Sequence, residues 1–195
     1  MSIPHRFQTE IPLRSRWQRI DMSNKKAHLT DTIVLALFAV LMIVAKEAMA
    51  SMPNIEPVSL LCAICSVLYG RRSLAAVFVF VIVQGLLYGI HIWWISYLYV
   101  WPICCLMAQI LRKADSALLC ALLMAIFGIC FGALTAIPYL FIGGFSMALT
   151  YWMSGIYFDL LHCGGNFIIC LLLYRPLLTA AKSALKRIPT NAWLG

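Results

Sequence analysis

Apolar residues run along this chain in long unbroken blocks, without the strict alternation of a half-buried strand. The blocks cover residues 32–50, 57–69, 73–90, 95–111, 116–139 and 153–174. Most approach the ~20 residues a helix needs to cross ~30 Å of hydrocarbon. They predict an all-α integral membrane protein, a six-transmembrane-helix bundle over 32–175. A polar, basic tail over 1–31 precedes the bundle, and a second basic tail over 176–195 follows it, with a short helix ended by Pro189. Met22-Ser-Asn-Lys-Lys has the pattern of a natural start, so 1–21 read as an extension that transport does not need.

Charge sharpens this picture. Every Lys and Arg except Lys46 lies in a tail or in a short break between blocks. Lys25 and Lys26 precede the first block, Arg71 and Arg72 follow the second, and Arg112 and Lys113 follow the fourth. Arg175, Lys182, Lys186 and Arg187 follow the sixth. These are alternate ends, so all fall on one side, and the excess of positive charge predicts that this side and both termini are cytoplasmic. Only 11% of the chain is charged and 63% is hydrophobic, against ~25% charged in a soluble domain. The net charge of +8 is explained by basic residues facing anionic lipid, which removes the case for nucleic acid. The eight cysteines all lie within apolar blocks. Cys62-x-x-Cys65 has no matching second pair, so these thiols read as small apolar groups. No metal set is visible.

The second block is too short. About 13 residues at 1.5 Å rise reach only ~20 Å. Either the segment 51–57 dips into the membrane or the second helix begins below the surface. Irregular backbone at that depth is tolerated where protein buries it or a wet cavity meets it, so a cavity opening outward is expected here, with Asn54 and Glu56 at its mouth.

Ions inside the membrane are expensive and usually face the bundle interior. Lys46 falls ~7 Å outward of the middle of its span, and Asp159 falls at a similar depth in the sixth. They read as a buried pair or as two walls of one polar pocket; the alternative is that Lys46 snorkels outward. Asp159, His162 and Asn166 share one helix face at i, i+3, i+7, flanked by Gly155, Gly164 and Gly165, which permit close helix approach. This stripe binds ligand, ties helices together, or does both. Trp93, Trp94, Tyr97, Tyr99 and Trp101 crowd the outer start of the fourth span, with Tyr88 and His91 before them. Tyr151 and Trp152 open the sixth. An interfacial belt would show at both ends; the inner ends here are poor in Trp, which favours an outer vestibule that stacks a flat ligand. Gln84 adds a hydrogen-bonding group deeper down. On the fifth span, Ala117, Ala121 and Ala125 form one small-residue stripe and Gly128, Gly132 and Ala136 another. Both suit close helix packing, inside the bundle or against a partner.

Nucleophile, zinc and P-loop motifs are missing from the sequence, so no cofactor or enzyme activity is expected. Uphill transport would draw on an ion gradient or on another subunit. In one reading the protein is a stand-alone proton-coupled transporter relaying protons through Glu47, Asp159 and His162.

A more specific reading comes from short runs. Ser51-Met-Pro-Asn-Ile-Glu-Pro, Leu68-Tyr-Gly-Arg-Arg, Gly85-Leu-Leu-Tyr-Gly, Trp94-Ile-Ser-Tyr-Leu-Tyr-Val-Trp-Pro and Ser154-Gly-Ile-Tyr-Phe-Asp-Leu-Leu-His, with Asn166-Phe167 and Arg175-Pro-Leu, resemble substrate-binding (S) components of energy-coupling factor (ECF) transporters. The likeness covers about residues 27–187. It implies a six-helix protein in a prokaryotic plasma membrane that captures a vitamin or related micronutrient from outside. It implies partners too: a transmembrane coupling subunit and two cytoplasmic ATPases. In such proteins the loops after the first and fifth helices act as lids, here 51–57 and 141–152, the latter hinged at Gly143-Gly144. Lys46, Asn54, Glu56, Gln84, Asp159, His162 and Asn166 would then supply polar contacts, with Tyr88, His91, Trp93, Trp94, Tyr97, Tyr151 and Trp152 around them. The family's Ala-x-x-x-Ala docking face is matched here by Thr32-x-x-x-Ala36, with the Ala117, Ala121, Ala125 stripe as an alternative.

Overall fold

The computed structural model describes residues 13–51 and 57–194. Helix α1 spans Leu13–Ala48, α2 Val58–Tyr69, α3 Ser73–Tyr88, α4 Ile92–Ala108, α5 Ala117–Thr135 and α6 Ile137–Leu185, with single 3-10 turns at Gly70–Arg72 and Gln109–Arg112. The described residues form helices and no strand. They hold five helical stretches long and apolar enough to cross a membrane, α2 and α3 being joined in one of them. The outside is apolar: Leu86, Ile90, Phe141 and Leu172 are 80, 72, 87 and 65% exposed. A surface of this kind fits contact with lipid or with a partner protein, and the five long apolar stretches fit lipid.

The joined stretch α2–α3 is folded back on itself. Gly70 holds φ +57°, a conformation an L side chain resists, and the Ser66 and Ser73 hydroxyls stand 3.1 Å apart. Seven residues along a straight helix would separate them by ~10 Å. Other contacts fix the remaining directions. Asp31 meets Arg72 while Glu47 meets Gln84 and Tyr88, so α1 and α3 run parallel. Trp94 meets Val81, so the start of α4 lies near the end of α3, and Gly132 meets Asp159, so α5 and α6 are antiparallel. The chain thus runs up and down six times between two ends. Asp31, Gly70, Arg72, Arg112, Asp115, Arg175, Lys182 and Trp193 gather at one of them, the basic end.

The short α2 is the hub. Every residue of it except Leu61 is buried, as expected of a helix that is apolar all round. It begins at a fully buried Val58. The cysteines around it pack as small apolar groups: Cys62 Sγ lies 3.9 Å from Met42 Sδ, and Cys104 Sγ 3.7 Å from Met124 Sδ.

Three boundaries differ from the sequence reading. The helix of α1 begins at Leu13, so much of the polar segment 1–31 is helical. Residues 145–152, expected in a lid loop, are helical. The backbone breaks only at Gly143 and Gly144, where φ reaches +71°, and Tyr139 stacks on Tyr151 at 4.1 Å across the break. Residues 137–153 therefore form the tip of a helical hairpin. At the other end α6 continues through Pro176 to Leu185. The bond lost at proline is offset by burial of Leu178 and Leu185 and by Arg175 Nη2 donating to the Asp115 carbonyl at 3.0 Å.

Candidate functional site

The stripe on α6 sits where its spacing placed it. Asp159, His162 and Asn166 are 3, 1 and 2% exposed, and all three turn toward α5. Asp159 Oδ1 accepts from the Gly132 N–H at 2.8 Å. Asn166 Nδ2 donates to the Met124 carbonyl at 2.9 Å. These two bonds tie the helices together, so Asn166 is an interhelical tie. His162 lies between them and is different: neither ring nitrogen has a hydrogen bond among the described residues.

Glycines explain how the two helices come so close. A Cβ on Gly128 would lie 2.7–2.9 Å from backbone atoms of His162 and Cys163, and one on Gly132 would strike the Asp159 carboxylate. The close approach is therefore made by the Gly128-x-x-x-Gly132 face of α5. Gly155 and Gly164, expected to serve this purpose, face open space.

Around His162 the walls are aromatic. Its ring lies 4.8 Å from that of Phe131 and 5.9 Å from that of Phe127. Phe131 is 6.3 Å from Tyr97, and Tyr97 is 5.1 Å from Trp93 and 5.7 Å from Trp101. Most of these contacts are edge to face, the arrangement aromatic quadrupoles favour. Lys46 brings its ammonium over the Tyr97 ring at 5.9 Å, a cation–π contact. Beside it, Glu47 accepts from Gln84 Nε2 at 3.1 Å and from the Tyr88 hydroxyl. Gln84 Oε1 and Trp101 Nε1 are buried without a hydrogen bond among the described residues. One cluster thus joins Lys46, Glu47, Gln84, Tyr88, Trp93, Tyr97, Phe127, Phe131 and His162, drawn from five helices.

A hollow of about 310 Å³ lies beside this cluster on the α5–α6 seam, lined by Phe131, Gly132, Thr135, Tyr151, Ser154, Gly155, Phe158 and Asp159. Phe131 belongs to the cluster and lines the hollow. Lys46 lies over the Tyr97 ring, Asp159 lines the hollow, and Phe131 touches the Tyr97 ring and borders the hollow.

Other expected residues go elsewhere. Trp94 Nε1 donates to the Val81 carbonyl at 2.8 Å, and its indole covers Gly85; it packs α4 on α3. Trp152 lines an apolar crevice between the hairpin arms with Ala136, Ile137 and Phe145, and its side chain also reaches toward the Asp159 carboxylate. His91 is exposed at the start of α4. Asn54 and Glu56 lie outside the described residues. On the partner side, Thr32 and Ala36 are exposed beside a groove of about 380 Å³ shared with Ala75, Ala76 and Val79. Ala121 is fully buried and Ala125 nearly so, so that stripe serves the interior and offers no docking face. Phe127, Phe131 and Glu47 are cluster residues that sequence reasoning did not select for ligand binding. The two Phe read as ordinary apolar span residues, and Glu47 read only as a proton relay.

No family model, curated protein or solved structure matches this chain.

Proposed function

We propose that this protein is the membrane-embedded capture subunit of an ATP-driven importer of the ECF type, binding a vitamin-like ring compound at the end opposite the basic one. In this reading the six helical runs each cross the plasma membrane of a prokaryote, and the basic end with both termini is cytoplasmic. A coupling subunit carrying two ATPases docks on the exposed Thr32–Ala36 side of α1. The observation that carries the reading is His162: a buried imidazole with two unmet nitrogens, set in an aromatic wall beside Lys46. Buried polar groups are normally satisfied, so such a group is matched to a partner that comes and goes. A flat ligand would stack on Trp93, Tyr97 and Phe131 and hydrogen-bond to His162 and Gln84.

Titrating purified protein with a panel of ring-containing vitamins, read by tryptophan fluorescence, tests this. One compound should saturate the signal. His162→Ala should weaken its binding ~10-fold or more, the loss expected when a buried hydrogen-bond partner is removed. Lys46→Ala should weaken it as well. A flat response across the panel would refute the reading. Uptake by the chain alone that collapses with the proton gradient would favour the stand-alone transporter instead.

A further inference from the structure

The basic end holds a hollow of about 670 Å³, lined by Leu106, Gln109, Ile110, Arg112, Lys113 and Trp193. Its Trp193 wall is put in place by the segment after α6. That segment folds back over the helix ends. The Trp193 N–H donates to the Leu68 carbonyl at 2.7 Å, and Thr190 and Asn191 donate to the buried Asp31 carboxylate. The Trp193 ring is flanked by Arg112 Cζ at 5.6 Å and Lys182 Nζ at 5.1 Å.

Charge here is unbalanced. The described acidic residues of this end are already committed: Asp21 to Lys25, Asp31 to Arg72 and Asp115 to Lys182. Among the described residues no carboxylate pairs with Arg112 or Lys113. Gln109 Nε2 is buried and has no hydrogen-bond partner among them. Directly beside these donors, Leu106 and Ile110 are 48 and 54% exposed and apolar. A hollow with cationic and amide donors at one edge and bare aliphatic surface at the other matches one amphipathic ligand, an anion joined to hydrocarbon.

We propose that this hollow binds the phosphate of an anionic phospholipid, with Arg112, Lys113 and Gln109 holding the headgroup, Trp193 at the interface and an acyl chain along Leu106 and Ile110. Basic pockets between helix ends at the membrane surface suit such headgroups, and the Trp193 ring suits the boundary layer. Bound lipid would also brace the fold-back segment against α4.

The test is native mass spectrometry of the full chain released from nanodiscs of equal phosphatidylglycerol and phosphatidylcholine. Wild-type protein should retain phosphatidylglycerol selectively. Lys113→Gln, an exposed position whose loss should not disturb the fold, should lower that retention about fivefold, the effect of one basic residue at an anionic surface. Arg112→Gln and Trp193→Ala should each lower it too. A phosphatidylcholine-only nanodisc should give no retained lipid at this stoichiometry, and inorganic phosphate at millimolar level should not displace the lipid. Equal retention of the two lipids, or retention unchanged in Lys113→Gln, would overturn the proposal. Displacement by inorganic phosphate would overturn the lipid assignment in favour of a free-anion site.

Discussion

Replacing Asp31 by Ala is expected to lower stability by about 3 kcal/mol, because it removes the acceptor of a buried, charged hydrogen-bond hub. The Asp31 side chain is fully buried. It receives Arg72 Nη1 at 2.7 Å, Thr190 Oγ1 at 2.5 Å, and the Asn191 backbone N–H and Nδ2 at 3.1 and 2.9 Å. Arg72 is 40% exposed and can turn to water, which keeps the loss below that of a fully buried pair. Thr190 and Asn191 have no such choice without releasing the fold-back segment from α1. Unfolding in detergent with a denaturant should show the loss, and Asp31→Asn should recover part of it. Asp21→Ala is the control: its pair with Lys25 is 63% and 75% exposed, and such pairs contribute only ~0.3–0.5 kcal/mol. Equal effects at Asp31 and Asp21 would contradict the hub.

The second large effect is expected at Gly128. Valine there puts a Cβ less than 3 Å from the His162 carbonyl and the Cys163 nitrogen. Backbone cannot step aside as a flexible side chain can, so α5 and α6 must separate. That would stretch the Gly132–Asp159 and Met124–Asn166 bonds and move His162 away from Phe131. Overpacking of this kind costs ~3 kcal/mol or more, and ligand binding should fall with it. Gly155→Ala should do the reverse. Its Cβ meets open space, and alanine is favoured over glycine within a helix by up to ~1 kcal/mol. Thermal unfolding of the two variants side by side reads both signs.

These two sites also mark what the sequence could and could not disclose. Hydrophobic blocks located the helical runs, because each must offer lipid a continuous apolar surface. The i, i+3, i+7 spacing of Asp159, His162 and Asn166 located their common buried face, since helical periodicity depends on sequence alone. The stripe of Gly128 and Gly132 was legible as a close-packing face, but not that it, rather than Gly155 and Gly164, makes the α5–α6 seam. Gly128 and Gly155 are chemically identical, and only the packing of α5 on α6 separates them. The same holds for Trp93 and Trp94, neighbours whose rings diverge to Tyr97 and to Gly85. Asp31 looked like the end of a polar tail. Its role depends on residues some 160 positions later returning to it, and no local pattern encodes such a closure. Residues 145–152 were expected in a lid loop because the resembled family carries one after its fifth helix; the break is confined to Gly143 and Gly144, and the helix resumes at once.

The central claim is that polar and aromatic groups of α1, α3, α4, α5 and α6 form a receptacle for one small ring compound. Its most direct test is mass spectrometry of the small molecules released when the purified protein is denatured. The account predicts a ring-bearing compound at up to one equivalent per chain, absent from Lys46→Ala and His162→Ala preparations that unfold at the wild-type temperature. The same compound at equal level in all three preparations would contradict it.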